Sequence, residues 1–397
     1  MSNLNSSVMM NDMKCYLAHN PILFVWEGDV APDDIAAPGH YYLTLGGKRI
    51  YDGRFNPPVW INLSEIVDAN TPWFPEISGT NTEPVIQVES PNDIERRRLY
   101  GYFEYDTADR EMQCYVFPGG VSKQNYSAMA QKGTDMMSVR FLNPAGNFFL
   151  TTRTADWCIY IKESEICPLY FFVRQTSDSY EIVDPITKNT MTFDWMEYGV
   201  CALDLAALRY SFYTEFGVLA SIFDVYCNRV NACRIVITQA SASRDRYRLK
   251  FRNSLGVFEI IELTGAISIT PEYPDSEDAT VRRYDAVIDD FYADRERIVR
   301  KLTISVSTGV KRPDEVRLLM DMLGSEDVYL LDLTPYPIKV IPSADDMTYM
   351  ARPDTPQNFN LKLELADEET YIMQDIISGD EGSNPRIFTD EFNDKFN

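Results

Sequence analysis

Strict alternation of apolar and polar residues marks much of the chain. Lys301–Ser307 sets Leu302, Ile304 and Val306 on one face and Thr303, Ser305 and Ser307 on the other. Phe359–Leu365 repeats the pattern, as half-buried strands do. Tyr41–Leu45 and Lys48–Asp52 alternate around Gly46-Gly47 and read as a hairpin, whereas His40 is assigned to the preceding loop. Arg98–Tyr105 and Met112–Phe117 flank a polar turn at Asp106–Arg110. Further strands are predicted at Trp157–Ile161, Glu165–Val173, Ser179–Val183, Met191–Trp195, Arg234–Thr238, Val328–Leu333 and Ile338–Ile341. Tyr16–Trp26 reads as a single strand kinked at Asn20-Pro21. Helical spacing is rarer. Pro313–Leu323 opens on Pro, carries acids in its first turn and stops at Gly324, with Val316, Leu319, Met320 and Leu323 as its expected buried stripe. Part of Leu203–Phe216 is also expected to be helical, from Leu203, Ala206, Ala207 and Tyr210. Ser64 is the expected N-cap of a short helix.

One pattern occurs twice. Phe141, Asn143, Gly146, Phe148 and Leu150 share the frame Phe-x-Asn-x-x-Gly-x-Phe-x-[Leu/Ile] with Phe251, Asn253, Gly256, Phe258 and Ile260, about 110 residues later. The chemistry is that of strand, turn and strand. Asn tolerates left-handed backbone and bonds to its own turn, and Gly supplies positive φ. The two turns are expected to superpose, as scaffold rather than site. A weaker likeness between Pro21-Ile-Leu-Phe and Pro168-Leu-Tyr-Phe, and between Ile61-Asn-Leu and Leu203-Asp-Leu, widens the repeat. It divides the chain into a loose N-terminus 1–13, a first unit 14–160, a related second unit 161–265, a third unit 266–366 and an acidic tail 367–397. The expected fold is mainly β, between all-β and α+β, with tandem sandwich-like or barrel-like domains and a few short helices.

Composition narrows the function. The 397 residues carry a formal charge of −23, which disfavours nucleic acid and anionic membrane surfaces as partners. No run approaches the roughly 20 apolar residues that cross a bilayer, and the start lacks a basic leader. Seven cysteines without Cys-x-x-Cys spacing point to reduced thiols, and neither a metal nor a cofactor is expected.

The order of features resembles a family of structural proteins from phages and prophages of Bacteroidetes, described as tail or tail-associated. Asn20-Pro-Ile-Leu-Phe with Ile61-Asn-Leu-Ser-Glu-Ile carries the resemblance, as do Phe251-Arg-Asn-Ser-Leu-Gly-Val-Phe-Glu and the run from Thr308-Gly through Leu323-Gly-Ser to Tyr336-Pro-Ile-Lys-Val. It touches most of residues 14–366. The resemblance implies a β-rich virion subunit, made in the bacterial cytoplasm, that assembles with other tail proteins and with copies of itself. It supplies no catalytic residues.

Residue chemistry agrees with a non-enzymatic expectation. With His19 and His40 as the sole imidazoles and no Gly-x-Ser-x-Gly, a nucleophile with a His base is disfavoured. Asp289-Asp290 and Asp345-Asp346 are the visible carboxylate pairs; both read as solvated surface, Asp345-Asp346 in a turn between strands. Trp60, Trp73 and Phe74, in Pro-rich loops, are the candidates for stacking on a sugar ring, against the plainer reading of core or interface packing. A structural subunit is therefore expected, with a carbohydrate- or receptor-binding module and a glycan-cleaving tail enzyme as the other readings.

Overall fold

A computed structural model describes residues 15–26, 38–77, 81–123, 126–127, 149–153, 158–173, 179–193, 196–272, 280–295, 301–333, 336–344, 347–348 and 357–366. The chain is mainly β, in several separate sheets with a few helices, and none of the described sheets closes into a barrel. The first copy of the repeated motif lies outside these residues except for Phe149 and Leu150, as do Asp345-Asp346 and the acidic tail.

The first sheet runs Cys15–Leu17, Ala108–Phe117, Arg98–Tyr105, Gly39–Leu45, Lys48–Phe55. One of its faces packs Leu43, Leu99, Phe103 and Val116 against Phe24 of the ribbon Leu23–Trp26/Val59–Asn62, Val67 of the helix Ser64–Asp68 and Leu63 between them. Phe117, one residue on from Val116, points the other way into a second core, because neighbours on a strand face opposite sides.

That second core rests on a three-stranded sheet, Leu169–Val173, Gly199–Leu203, Val85–Glu89. All five residues of Leu169–Val173 are buried, so neither face meets water. Tyr170 and Phe172 join Phe117, Leu255 and Val257, whereas Leu169, Phe171 and Val173 join a third core. The sheet Thr190–Phe193, Tyr180–Val183, Ile222–Cys227, Val230–Thr238, Cys158–Lys162 and the helix Leu205–Phe216 close that third core. Each Phe so buried contributes roughly 2–3 kcal/mol.

The largest sheet has seven strands: Phe258–Thr264, Arg246–Arg252, Val328–Leu330, Ile338–Ser343, Asn360–Leu365, Lys301–Ser307, Ile267–Glu272. The helix Pro313–Leu323 covers its core. Leu249 pairs with Leu330 and Phe251 with Val328, so Arg246–Thr264 belongs with the C-terminal strands, and the boundary expected after 265 falls inside this sheet. Val85–Glu89 likewise pairs with Gly199–Leu203 across the boundary expected at 160.

Several local expectations shift. Tyr16–Trp26 is two strands in two sheets, because the Asn20 amide bonds both backbone groups of Val121 (2.8 and 2.9 Å) and turns the chain between them. His40 lies in the strand Gly39–Leu45. Ser64 is the first helical residue rather than the cap, and the Asn62 side chain accepts from its N–H. The helix Leu205–Phe216 is capped by Asp204, which accepts from Ala206 N and Ala207 N, and it ends at Gly217 with φ 70°. It buries Leu205, Leu208 and Phe212, leaving Tyr210 outside. In Pro313–Leu323 the stripe is Val316, Leu318, Leu319 and Met322, with Met320 exposed. Val316, Leu319 and Ala207 are buried as expected and Leu323 packs at the edge of the core, whereas Met320 and Tyr210 turn outward, because residues flanking an apolar stripe can face either way.

Candidate functional site

The second copy of the motif forms a tight turn. Asn253 is buried, accepts from Leu255 N and Val257 N at 3.0 and 3.1 Å, and donates to Leu150 O at 3.0 Å. Gly256 has φ 86°, and a Cβ there would lie 2.9 Å from Pro118 Cγ. The turn thus sits flush on the corner Pro118-Gly119-Gly120, where Gly120 N donates to Ser254 O at 2.7 Å. Phe251 is buried in the C-terminal core, and Phe258 is half-exposed over the cations Lys250 and Arg252.

Beside this turn lies a cleft of about 490 Å³, walled by the Gly119–Ser122 corner, Arg252–Ser254, Trp73, His19, Asp321 and the Gly324–Asp327 loop. Trp73 is 39% exposed. Its carbonyl, with that of Pro72, accepts from the Arg97 guanidinium (3.4 and 2.8 Å). Arg97 is itself buried, paired with Glu89, and lies 4.8 Å from the Phe74 ring centroid. The Arg252 guanidinium lies between the rings of Trp73 (4.8 Å) and Phe258 (4.3 Å) and donates to Asp327 at 3.1 Å. Burial pushes the Asp327 carboxyl up, but Lys339 and Arg252 outweigh it and hold the group below its ordinary pKa. Asp321 is raised, because burial outweighs the donors Thr152 and Ser254 N.

The three aromatic candidates therefore separate. Trp73 lines the cleft. Trp60, on the strand Val59–Asn62 and 69% exposed, is not among its lining residues. Phe74 is 4% exposed and packs with Phe117 and Phe172, so no ligand can stack on it.

A polar seam runs inward from the cleft. Thr152 donates to Asp321 (2.8 Å) and to Glu259 (3.4 Å), and Thr151 donates to Glu259. Arg153 is buried, donates to Glu165 at 2.9 Å and to Ile260 O, and its Nε has no hydrogen-bond partner among the described residues. Lys162 lies 3.0 Å from Glu315 and 3.6 Å from Glu262. Lys311, also buried, donates from Nζ to Glu262 O. Sequence reading passed over this seam. Its one signal was Glu259, which breaks the apolar face that Ile261 and Leu263 continue along their strand. Among the described residues no group of three or more His, Cys, Asp or Glu is placed to hold a metal ion.

Burial, with help from Lys162, pulls the Lys311 ammonium from 10.5 down to about 8. The unfolded chain therefore binds more protons than the folded one between pH 8 and 10.5, and stability gains from Lys311 as pH rises through that window. Denaturation series at pH 7, 8.5 and 10 are expected to show this alkaline gain in the wild type and a flatter profile in Lys311→Met. Parallel profiles for the two chains would remove Lys311 as the cause.

No family model matches the chain, and no curated protein matches it. A solved structure titled as structural insight into host cell surface retention of a 1.5-MDa bacterial ice-binding adhesin aligns over 76% of this chain and 90% of that one, at 7% identity and a TM-score of 0.15. A likeness of that size carries no argument about function.

Proposed function

We propose that the chain is a structural, non-catalytic subunit of a phage tail or tail-associated assembly, working through protein–protein contacts with neighbouring subunits, copies of itself included. The observation that carries this reading is the hairpin Thr280–Asp285/Asp290–Arg295, which among the described residues forms a sheet of its own. Tyr284 and Phe291 pair across it, and both are exposed. At the tip Val287 is 92% exposed and Ile288 follows it. The tip is built rather than slack. Asp285 accepts from Val287 N at 2.8 Å, Asp289 takes φ 51°, and Tyr284 OH donates to Asp289. An isolated two-stranded ribbon is marginal in water, and exposed aliphatic residues at its tip are a cost that an interface removes.

Val287→Asp/Ile288→Asp is expected to leave the melting temperature of the purified chain unchanged. Its copy number in purified particles, counted by mass spectrometry, is expected to fall at least about tenfold, the equivalent of roughly 1.4 kcal/mol of contact energy. Absence of the wild-type chain from particles, or undiminished incorporation of the double variant, overturns the reading.

A further inference from the structure

We propose that the cleft beside Trp73 is a binding site for a neutral oligosaccharide. This goes beyond the assembly role and stands on different residues. The volume of about 490 Å³ is within the range of small-molecule sites, roughly 300–1,000 Å³. One lining residue is Trp73, whose backbone carbonyl accepts from Arg97 and whose ring lies against the Arg252 guanidinium. Little side-chain freedom is left to lose on binding. The rest of the lining includes residues with acceptors and hydroxyls: the carboxylates Asp321, Glu326 and Asp327, and the serines Ser122, Ser254 and Ser325. Gly119, Gly120 and Gly324 leave bare backbone between them.

Charge and shape select among ligands. Among the described lining residues Arg252 is the one Lys or Arg, against three carboxyl groups, which disfavours phosphates, sulfated sugars and uronic acids. The place a cationic ligand would take on the indole is already held by Arg252, itself neutralised by Asp327. The serine- and carboxyl-rich walls suit no fatty or steroid-like molecule, which would take water from their remaining lone pairs without replacing it. A pyranose fits both halves. Its C–H face covers the remaining surface of the ring, and its hydroxyls donate to the carboxylates and exchange hydrogen bonds with the serines.

The test uses the full chain on an array of neutral oligosaccharides built from glucose, galactose, mannose and N-acetylglucosamine, with sulfated glycans and an oligolysine peptide alongside. Hits are followed by saturation-transfer NMR titration. Binding of a neutral oligosaccharide is expected, weakened at least about tenfold by Trp73→Ala, or roughly 1.4 kcal/mol. Because Trp73 also holds Arg252, a second variant, Ser122→Trp, fills the cleft from the exposed loop and is expected to abolish binding with the melting temperature unchanged. Trp60→Ala, outside the cleft, is expected to bind as wild type. Absence of neutral-sugar binding overturns the proposal, as do binding that survives both cleft variants, binding that needs Trp60, and selective capture of the sulfated glycans or of oligolysine. The hairpin-tip variant keeps sugar binding if the cleft proposal holds, so the failure of either proposal is distinguishable from the failure of the other.

Discussion

Arg97→Met is expected to destabilise the protein by about 3–5 kcal/mol, the range for removing one partner of a buried ion pair. Glu89 stays behind with 5% of its surface exposed, and both of its oxygens lose their guanidinium donors. Arg97 also donates to the carbonyls of Pro72 and Trp73 and lies over the rings of Phe74 and Phe117. The loss therefore reaches the loop that places Trp73 and the core between the first and the three-stranded sheets. Arg97→Met/Glu89→Leu is expected to recover most of the stability, since apolar groups of similar size replace a buried pair at little net cost. Chemical denaturation of the three chains measures both effects, and tryptophan fluorescence reports whether the Trp73 loop has moved. A single variant within about 1 kcal/mol of wild type would show that the pair does not hold this seam.

What the sequence disclosed follows the range of the physics that set it. The alternation in Lys301–Ser307 and in Phe359–Leu365 is a local consequence of burying one face, and both strands form with Ile304, Val306, Leu361 and Leu363 inside. The turn at Asn253 and Gly256 was legible for the same reason, because its hydrogen bonds and its positive φ lie within a few residues. Sheet membership was not. Arg246–Thr264 carried the motif that assigned it to the second unit, but its partner Val328–Leu330 is far along the chain, and no periodicity in either strand records the pairing. The cleft shows the same limit at one step's distance. Trp73 and Phe74 are adjacent aromatics in one Pro-rich loop, and the partners that take Phe74 inward, Arg97, Phe117, Tyr170 and Phe172, all lie more than twenty residues on. The buried charges of Arg153, Glu165, Glu259 and Lys311 were the least legible, because each reads as an ordinary surface residue until its partners surround it.

Those charges give the second large effect, a contrast between two glutamates on one arginine. Glu165→Gln is expected to cost roughly 3 kcal/mol or more at neutral pH, and Glu259→Gln less than about 1 kcal/mol. Both side chains are 2% exposed and both face Arg153. Burial pushes the Glu165 carboxyl up, but Arg153, Lys162 and the backbone N–H of Glu262 outweigh it, and the group titrates below its ordinary 4.5. Burial wins at Glu259, where Arg153 stands 4.0 Å away and the hydrogen bonds from Thr151 and Asn253 do not offset it, so that carboxyl titrates above 4.5. The signs are opposite. Glu165 contributes stability above pH 4.5 that is lost as pH falls through its lower folded value. Glu259 contributes stability that is complete below pH 4.5 and is lost as pH rises through its higher folded value. Neutralising Glu165 at pH 7 therefore strips Arg153 of its direct carboxylate partner, whereas neutralising Glu259 removes a charge that burial already disfavours. Urea denaturation at pH 7 and again near pH 4 separates the two. The Glu165→Gln deficit is expected to shrink on acidification, and any advantage of Glu259→Gln is expected to vanish. Equal costs for the two variants at pH 7 would mean that the arginine divides its charge evenly and that burial does not set the difference.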